Sequence, residues 1–270
     1  MSNVNLDNLI GSPNLNAKYS KVSSYFAHFR VELDQAKMKL LIVAIILIVS
    51  GFSSVISQKY MAEILAISGF ELKNPPVPSL SSFLSDFLGN SSLYILIIIL
   101  FGMGTFSNEL DVNKQVYFTL SRPISRSGYF LTRSLVLTLG IAFTTILGSF
   151  IVYYYALEFF SPIPLETITL IFLIVCLQYS CMYALMIMFS TKYSQSTAGV
   201  LGFITFLSEA LIAFIEPLKW FSPLALSNDW MKMFNKNISP FDISLDFLAM
   251  IIWIIVPLLI GWIIYQKRDL

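Results

Sequence analysis

The chain has 270 residues, of which 56% are hydrophobic and only 12% charged, and its formal net charge is +1. Soluble domains carry roughly 25% charged residues, so this composition, with a mean hydropathy of +0.75, specifies an integral membrane protein. A near-neutral balance supplies no field to attract nucleic acid, and Cys176, Cys181 and His28 are too few for a disulfide framework, a zinc site or a bis-histidine haem clamp.

Residues 1–20, rich in Asn and Ser, read as a flexible tail, without the short apolar core and cleavage site of a signal peptide. Over 22–37, Val22, Tyr25, Phe26, Phe29, Leu33 and Ala36 recur at i, i+3, i+4 spacing, with Arg30, Glu32, Asp34 and Lys37 opposite. That pattern predicts an amphipathic helix lying in the membrane interface, and a solvated helix leading into a span fits it equally well. Six apolar runs then predict spans at about 40–57, 91–106, 134–157, 167–189, 198–215 and 247–265, each measured against a hydrocarbon core of about 30 Å. Residues 58–91, broken by Pro75, Pro76 and Pro78, and 216–246 read as long polar connections. No internal repeat of the kind found in inverted-repeat carriers is visible. The expected fold is an all-α integral membrane protein: a single transmembrane domain over 21–270, with six spans.

Lys and Arg set the orientation. Twelve of them (Lys18, Lys21, Arg30, Lys37, Lys39, Lys114, Arg122, Arg126, Arg133, Lys192, Lys267 and Arg268) fall in the N-terminal segment before the first span, the 107–133 connection, the 191–196 link and the C-terminus. The opposite connections hold only Lys59, Lys73, Lys219, Lys232 and Lys236. The positive-inside rule then places both termini in the cytoplasm of a multi-pass cell-membrane protein.

No catalytic constellation and no metal site is present: the chain has neither a phosphate-binding G-x-x-x-x-G-K-[ST] loop nor an H-E-x-x-H pair. If it performs work, the energy comes from a partner or an ion gradient. Glu209 is the one acid well inside a predicted span, where a charge costs at least about 2.5 kcal/mol and faces protein or water. Thr205, Ser208 and Glu209 are candidates to line a pathway; the alternative is a protonated structural carboxyl bonded to a neighbouring helix. Ser134, Thr138, Thr145 and Ser149 form a hydroxyl stripe on the third span, and Gln178 lies on the fourth; both suit helix packing. Gly199 and Gly202 allow close helix approach on the fifth span, and Gly102 and Gly104 on the second mark close packing or a kink.

The stretch 106–133 is too long and too amphipathic to be a tether. It sets Glu109, Asp111, Lys114, Arg122, Arg126 and Arg133 around Val116, Tyr117, Leu120 and Ile124. Its order of Glu109, then Leu120, Ser121, Arg122, Pro123, Ile124, Ser125, Arg126, then Tyr129 and Phe130 resembles the permease subunits of type-2 ATP-binding cassette (ABC) exporters. Ser222 with Pro223, and the basic ending from Tyr265 to Leu270, are similar to further features of that family. Asp111, Val112, Asn113 and Lys114 stand where its members often have Gly-Thr, which bears on where the helix starts.

The resemblance implies an N-terminal interfacial helix and a cytoplasmic coupling helix between spans two and three, over 107–127. Val116, Tyr117 and Leu120 would supply apolar contact with a cytosolic ABC ATPase, and Glu109, Arg122 and Arg126 the polar contacts. ATP and Mg would bind that partner, no cofactor would bind this chain, and a second permease would complete the unit. This chain would not itself be an enzyme. A non-transporting membrane anchor holding another partner on the same connection is the alternative. An ion-coupled carrier would lean on Glu209.

Overall fold

A computed structural model describes residues 21–68, 79–107, 125–160, 165–215, 219, 222–224 and 240–267. The tail 1–20 and the connections around 69–78, 108–124 and 225–239 lie outside the described residues. The described residues form helices and no strand. In chain order they are α1 (Lys21–Ile67), α2 (Leu80–Gly102), α3 (Arg126–Ala156), α4 (Leu165–Lys192), α5 (Gln195–Ile212) and α6 (Pro240–Lys267). Five of them, all but α2, hold segments long and apolar enough to cross a membrane among the described residues.

Several expected boundaries shift, for identifiable reasons. The interfacial helix over 22–37 and the first span are one unbroken 47-residue helix, α1. At about 1.5 Å per residue it reaches about 70 Å, more than twice a hydrocarbon core of about 30 Å. The 58–91 connection is helical at both ends, because α1 continues to Ile67 and α2 begins at Leu80. Ser79 starts α2 by accepting from the Ser82 amide at 3.1 Å, satisfying one of the orphan donors of the first turn. Asn90 donates to Ser54 Oγ at 3.0 Å and ties α2 to α1. Gln58 and Asp86 make a second tie between the same helices.

α3 begins at Arg126, well before its apolar run, because Ser125 caps it by accepting from the Gly128 amide. Arg126 therefore opens α3; it does not close a separate coupling helix. The 191–196 link contracts to Tyr193 and Ser194 between α4 and α5, and α6 starts seven residues ahead of its expected span.

α4 is the centre of the bundle. Of its most apolar window 83% is buried, against 17% for α5 and for α6, and it packs on α2, α3, α5 and α6. The outer faces are apolar: on α3, Leu131, Leu135, Leu139, Phe143 and Leu147 are all exposed at four-residue steps, as a lipid-facing stripe would be. The inner face of the same helix carries Ser134, Thr138, Thr145 and Ser149, all buried. Thr145 donates back to the Ile141 carbonyl at 2.7 Å.

α1 and α3 run parallel in a near-constant register, with Glu32 beside Arg133, Leu40 against Gly140, Leu47 against Gly148 and Gly51 against Val152. Each glycine admits the facing side chain, the small-residue packing that lets membrane helices approach closely. The three differ in tolerance. A methyl at Gly140 would meet only the flexible end of Leu40, whereas one at Gly51 would run into Cβ and both branches of Val152. Gly51→Ala is expected to lose about 1–3 kcal/mol through overpacking, and Gly140→Ala to stay within about 1 kcal/mol. At Gly89 in α2 nothing lies within 4 Å, so Gly89→Ala should gain about 0.5–1 kcal/mol. Unfolding of the three variants in one detergent checks the order.

Candidate functional sites

The end of the bundle where α1 enters and α6 leaves is fastened by a buried polar network. Arg133, in the second turn of α3, donates from one guanidinium nitrogen to both carboxylate oxygens of Glu32 at 3.3 and 3.1 Å, and to the Tyr129 hydroxyl at 3.1 Å. His28 Nε2 lies 3.6 Å from the same carboxylate, one helical turn earlier on α1. Its ring packs at 5.0 Å on Tyr129. Glu32 and His28 are 4% and 3% exposed, so the network is sealed from solvent. A charge so placed is tolerated only when it is paired and hydrogen-bonded.

Aromatic rings form the floor. Phe106 stacks on Phe130 at 5.1 Å and meets Tyr265 at 5.3 Å, while the Arg133 guanidinium carbon lies 5.6 Å from the Phe106 ring centre. An aromatic face within about 6 Å attracts a guanidinium through its quadrupole. Around this floor, Lys39 donates to the Phe101 carbonyl in the last turn of α2, where the helix dipole favours a cation. Gln266 donates to Ser127 Oγ at 2.6 Å, and Thr105 Oγ1 lies 3.0 Å from the Tyr183 hydroxyl. The network therefore joins α1, α3 and the end of α2, and its neighbours bring in α4 and α6.

The sequence pattern places Glu32 on a solvated face with Arg30, Asp34 and Lys37. The structure turns it inward. Phe26 is 72% exposed and Phe29 and Leu33 are exposed as well, while His28, Glu32 and Ala36 are buried. The signal is a longer period: His28, Glu32 and Ala36 continue into Val43, Leu47, Ser50 and Ser54, one stripe along the length of α1. Of the expected docking residues, Glu109, Val116, Tyr117, Leu120 and Arg122 lie outside the described residues, and Arg126 is exposed at the start of α3.

At the other end of the bundle Glu209 points inward and is 4% exposed. Thr205 is half-buried and Ser208 exposed, and each donates back to its own helix, to the carbonyls of Leu201 and Ile204. The three expected pathway residues therefore do not converge. Successive helical residues are about 100° apart, which turns Ser208 outward when Glu209 faces in.

The surroundings of Glu209 come from elsewhere. Ser222 donates to the Glu209 carbonyl at 2.8 Å, and the Ser222 hydroxyl accepts from the Leu224 amide. The next carbonyl, Pro223, accepts from the Gln178 side chain of α4 at 3.4 Å. Cys181, one turn along α4 from Gln178, lies within electrostatic reach of Glu209 and donates to the Met250 carbonyl of α6. Gly202, earlier on α5, presses against Met186 of α4 and Ile99 of α2, which fixes the α4–α5 approach.

No metal-binding group of His, Cys, Asp and Glu occurs among the described residues. Compared with protein-family models and with curated proteins, the chain matches none.

Proposed function

We propose that this protein is the membrane-embedded permease subunit of an ATP-driven exporter of the type-2 ABC class, moved by a separate cytosolic ATPase. In this reading α2 is a sixth span, because its residues 93–102 are almost wholly apolar. The fastened end of the bundle faces the cytoplasm, the side favoured by the Lys and Arg distribution. The N-terminal part of α1, with Phe26, Phe29 and Leu33 exposed beside Arg30 and Lys37, lies along the membrane interface.

One observation carries the proposal. The charged, amphipathic segment 108–124 leaves from Ser107 and returns at Ser125, and both anchors adjoin the Glu32–Arg133 network. Ser107 follows Phe106, the ring under Arg133; Ser125 caps the helix that carries Arg133. A push on that segment reaches α3 through its first turn and reaches α1 through the ion pair, so a partner seated there would move two helices together. Such a joint is what a subunit driven by an external ATPase needs. It would be superfluous in a chain doing its own chemistry.

The test is Arg122→Glu in the full chain. The variant is expected to insert in the membrane at the wild-type level and to retain at least about tenfold less of a soluble ATPase, as loss of a central charge-assisted contact would give. Equal retention of the ATPase by wild type and variant would refute docking at this segment.

A further inference from the structure

Two buried acceptor atoms at the α4–α5 seam have no hydrogen-bond partner among the described residues: Glu209 Oε1 and Gln178 Oε1. Their residues are 4% and 1% exposed. Both are held by the same short non-helical segment, since Ser222 binds the Glu209 backbone and Pro223 binds the Gln178 amide nitrogen. Neither residue enters any of the ion pairs among the described residues. A buried acceptor left unmatched costs about 1–3 kcal/mol, more when charged, and the described residues supply a donor to neither atom.

The donor set indicates its kind. Gln178 has already used its amide nitrogen, the Ser222 hydroxyl proton is engaged, and the groups that remain are a carboxylate, a side-chain carbonyl and the free lone pair of the Pro223 carbonyl. All are hard oxygens, with no imidazole or free thiolate to select a transition metal. With Glu209 ionised the set carries one negative charge in a low-dielectric setting, so one positive charge neutralises it and two would leave an excess. Irregular backbone carbonyls beside a helix end are a common way for membrane proteins to complete such a site.

We propose that Glu209 and Gln178, with the Pro223 carbonyl, form a binding site for one monovalent cation, either an alkali metal ion or the ammonium head of a small amine. The cation seats the Ser222–Leu224 segment against α4 and α5. This stands on the seam alone and does not depend on the ATPase reading.

The experiment is thermal unfolding of the full chain in lipid nanodiscs, titrated with sodium chloride, methylammonium chloride or choline chloride at matched ionic strength. A saturable rise in Tm is expected with sodium or methylammonium and not with the bulkier choline. Sodium alone assigns an alkali ion, and methylammonium alone or with sodium assigns an amine-accepting site. Glu209→Gln should remove the saturable rise, and Gln178→Ala should raise the half-saturating concentration by about tenfold or more. A choline response equal to that of sodium and methylammonium would overturn the proposal whatever the variants do. So would an unchanged rise in Glu209→Gln. A wild-type chain indifferent to all three salts, with a protonated-carboxyl infrared band that vanishes in Glu209→Gln, would show a neutral structural carboxyl instead.

Discussion

Glu32→Ala is expected to destabilise the protein by about 3–5 kcal/mol, the usual consequence of removing one partner from a buried ion pair. The cause is what stays behind. Arg133 keeps its charge with a side chain only 12% exposed, and the two carboxylate contacts at 3.3 and 3.1 Å are lost. Among the described contacts the Tyr129 hydroxyl and the Phe106 and Tyr129 rings remain, but a hydroxyl and rings do not neutralise a guanidinium. The double variant Glu32→Ala with Arg133→Met should recover much of the loss, because the uncompensated charge is gone and the aliphatic chain still fills the site. Denaturant unfolding of the single and double variants in one detergent measures this as a coupling energy. A single-variant loss under about 1 kcal/mol, the range of exposed pairs, would show that the network is not sealed.

Phe106→Ala carries the second large effect, about 3–5 kcal/mol for deletion of a buried aromatic. Phe106 is 1% exposed and supports Phe130, Tyr129, Tyr265 and Arg133 at once. The loss therefore falls on α2, α3 and α6 together. Phe106→Leu separates the two roles of the ring. It keeps most of the volume, so the loss should stay under about 1.5 kcal/mol, and what remains reports the ring's attraction for the guanidinium. If that remainder persists when Arg133 is already Met, the ring acts by packing alone.

The apolar body of the fold was legible in the sequence because a helix in lipid must satisfy its own backbone and clothe itself in apolar side chains. That constraint acts only within the hydrocarbon. Beyond it, Gln58 to Ile67 of α1 and the first turns of α2 are helical with ordinary polar residues, held by Gln58–Asp86 and Asn90–Ser54 contacts across the chain. No local pattern announces such long-range bonds. Glu32 fails for a related reason: four charged residues near one another read as a solvated face, and only Arg133, 101 positions away, turns one of them inward.

Glu209 shows the opposite case. An acid inside an apolar run is conspicuous wherever it falls, and it is buried. Its expected companions Thr205 and Ser208 lie along α5, whereas the groups around it come from α4 and the Ser222–Leu224 segment. Helical spacing reveals which residues share a face, but not which other element covers that face.

The most direct test of the ATPase-driven account is isolation of the chain from its native membranes in mild detergent, followed by identification and quantification of its companions. The account predicts a soluble protein with a phosphate-binding Walker A loop, stoichiometric with this chain, and ATP hydrolysis by the isolated complex. A stable complex made only of other integral or redox subunits, with no ATPase, would contradict it and leave the chain as a membrane anchor.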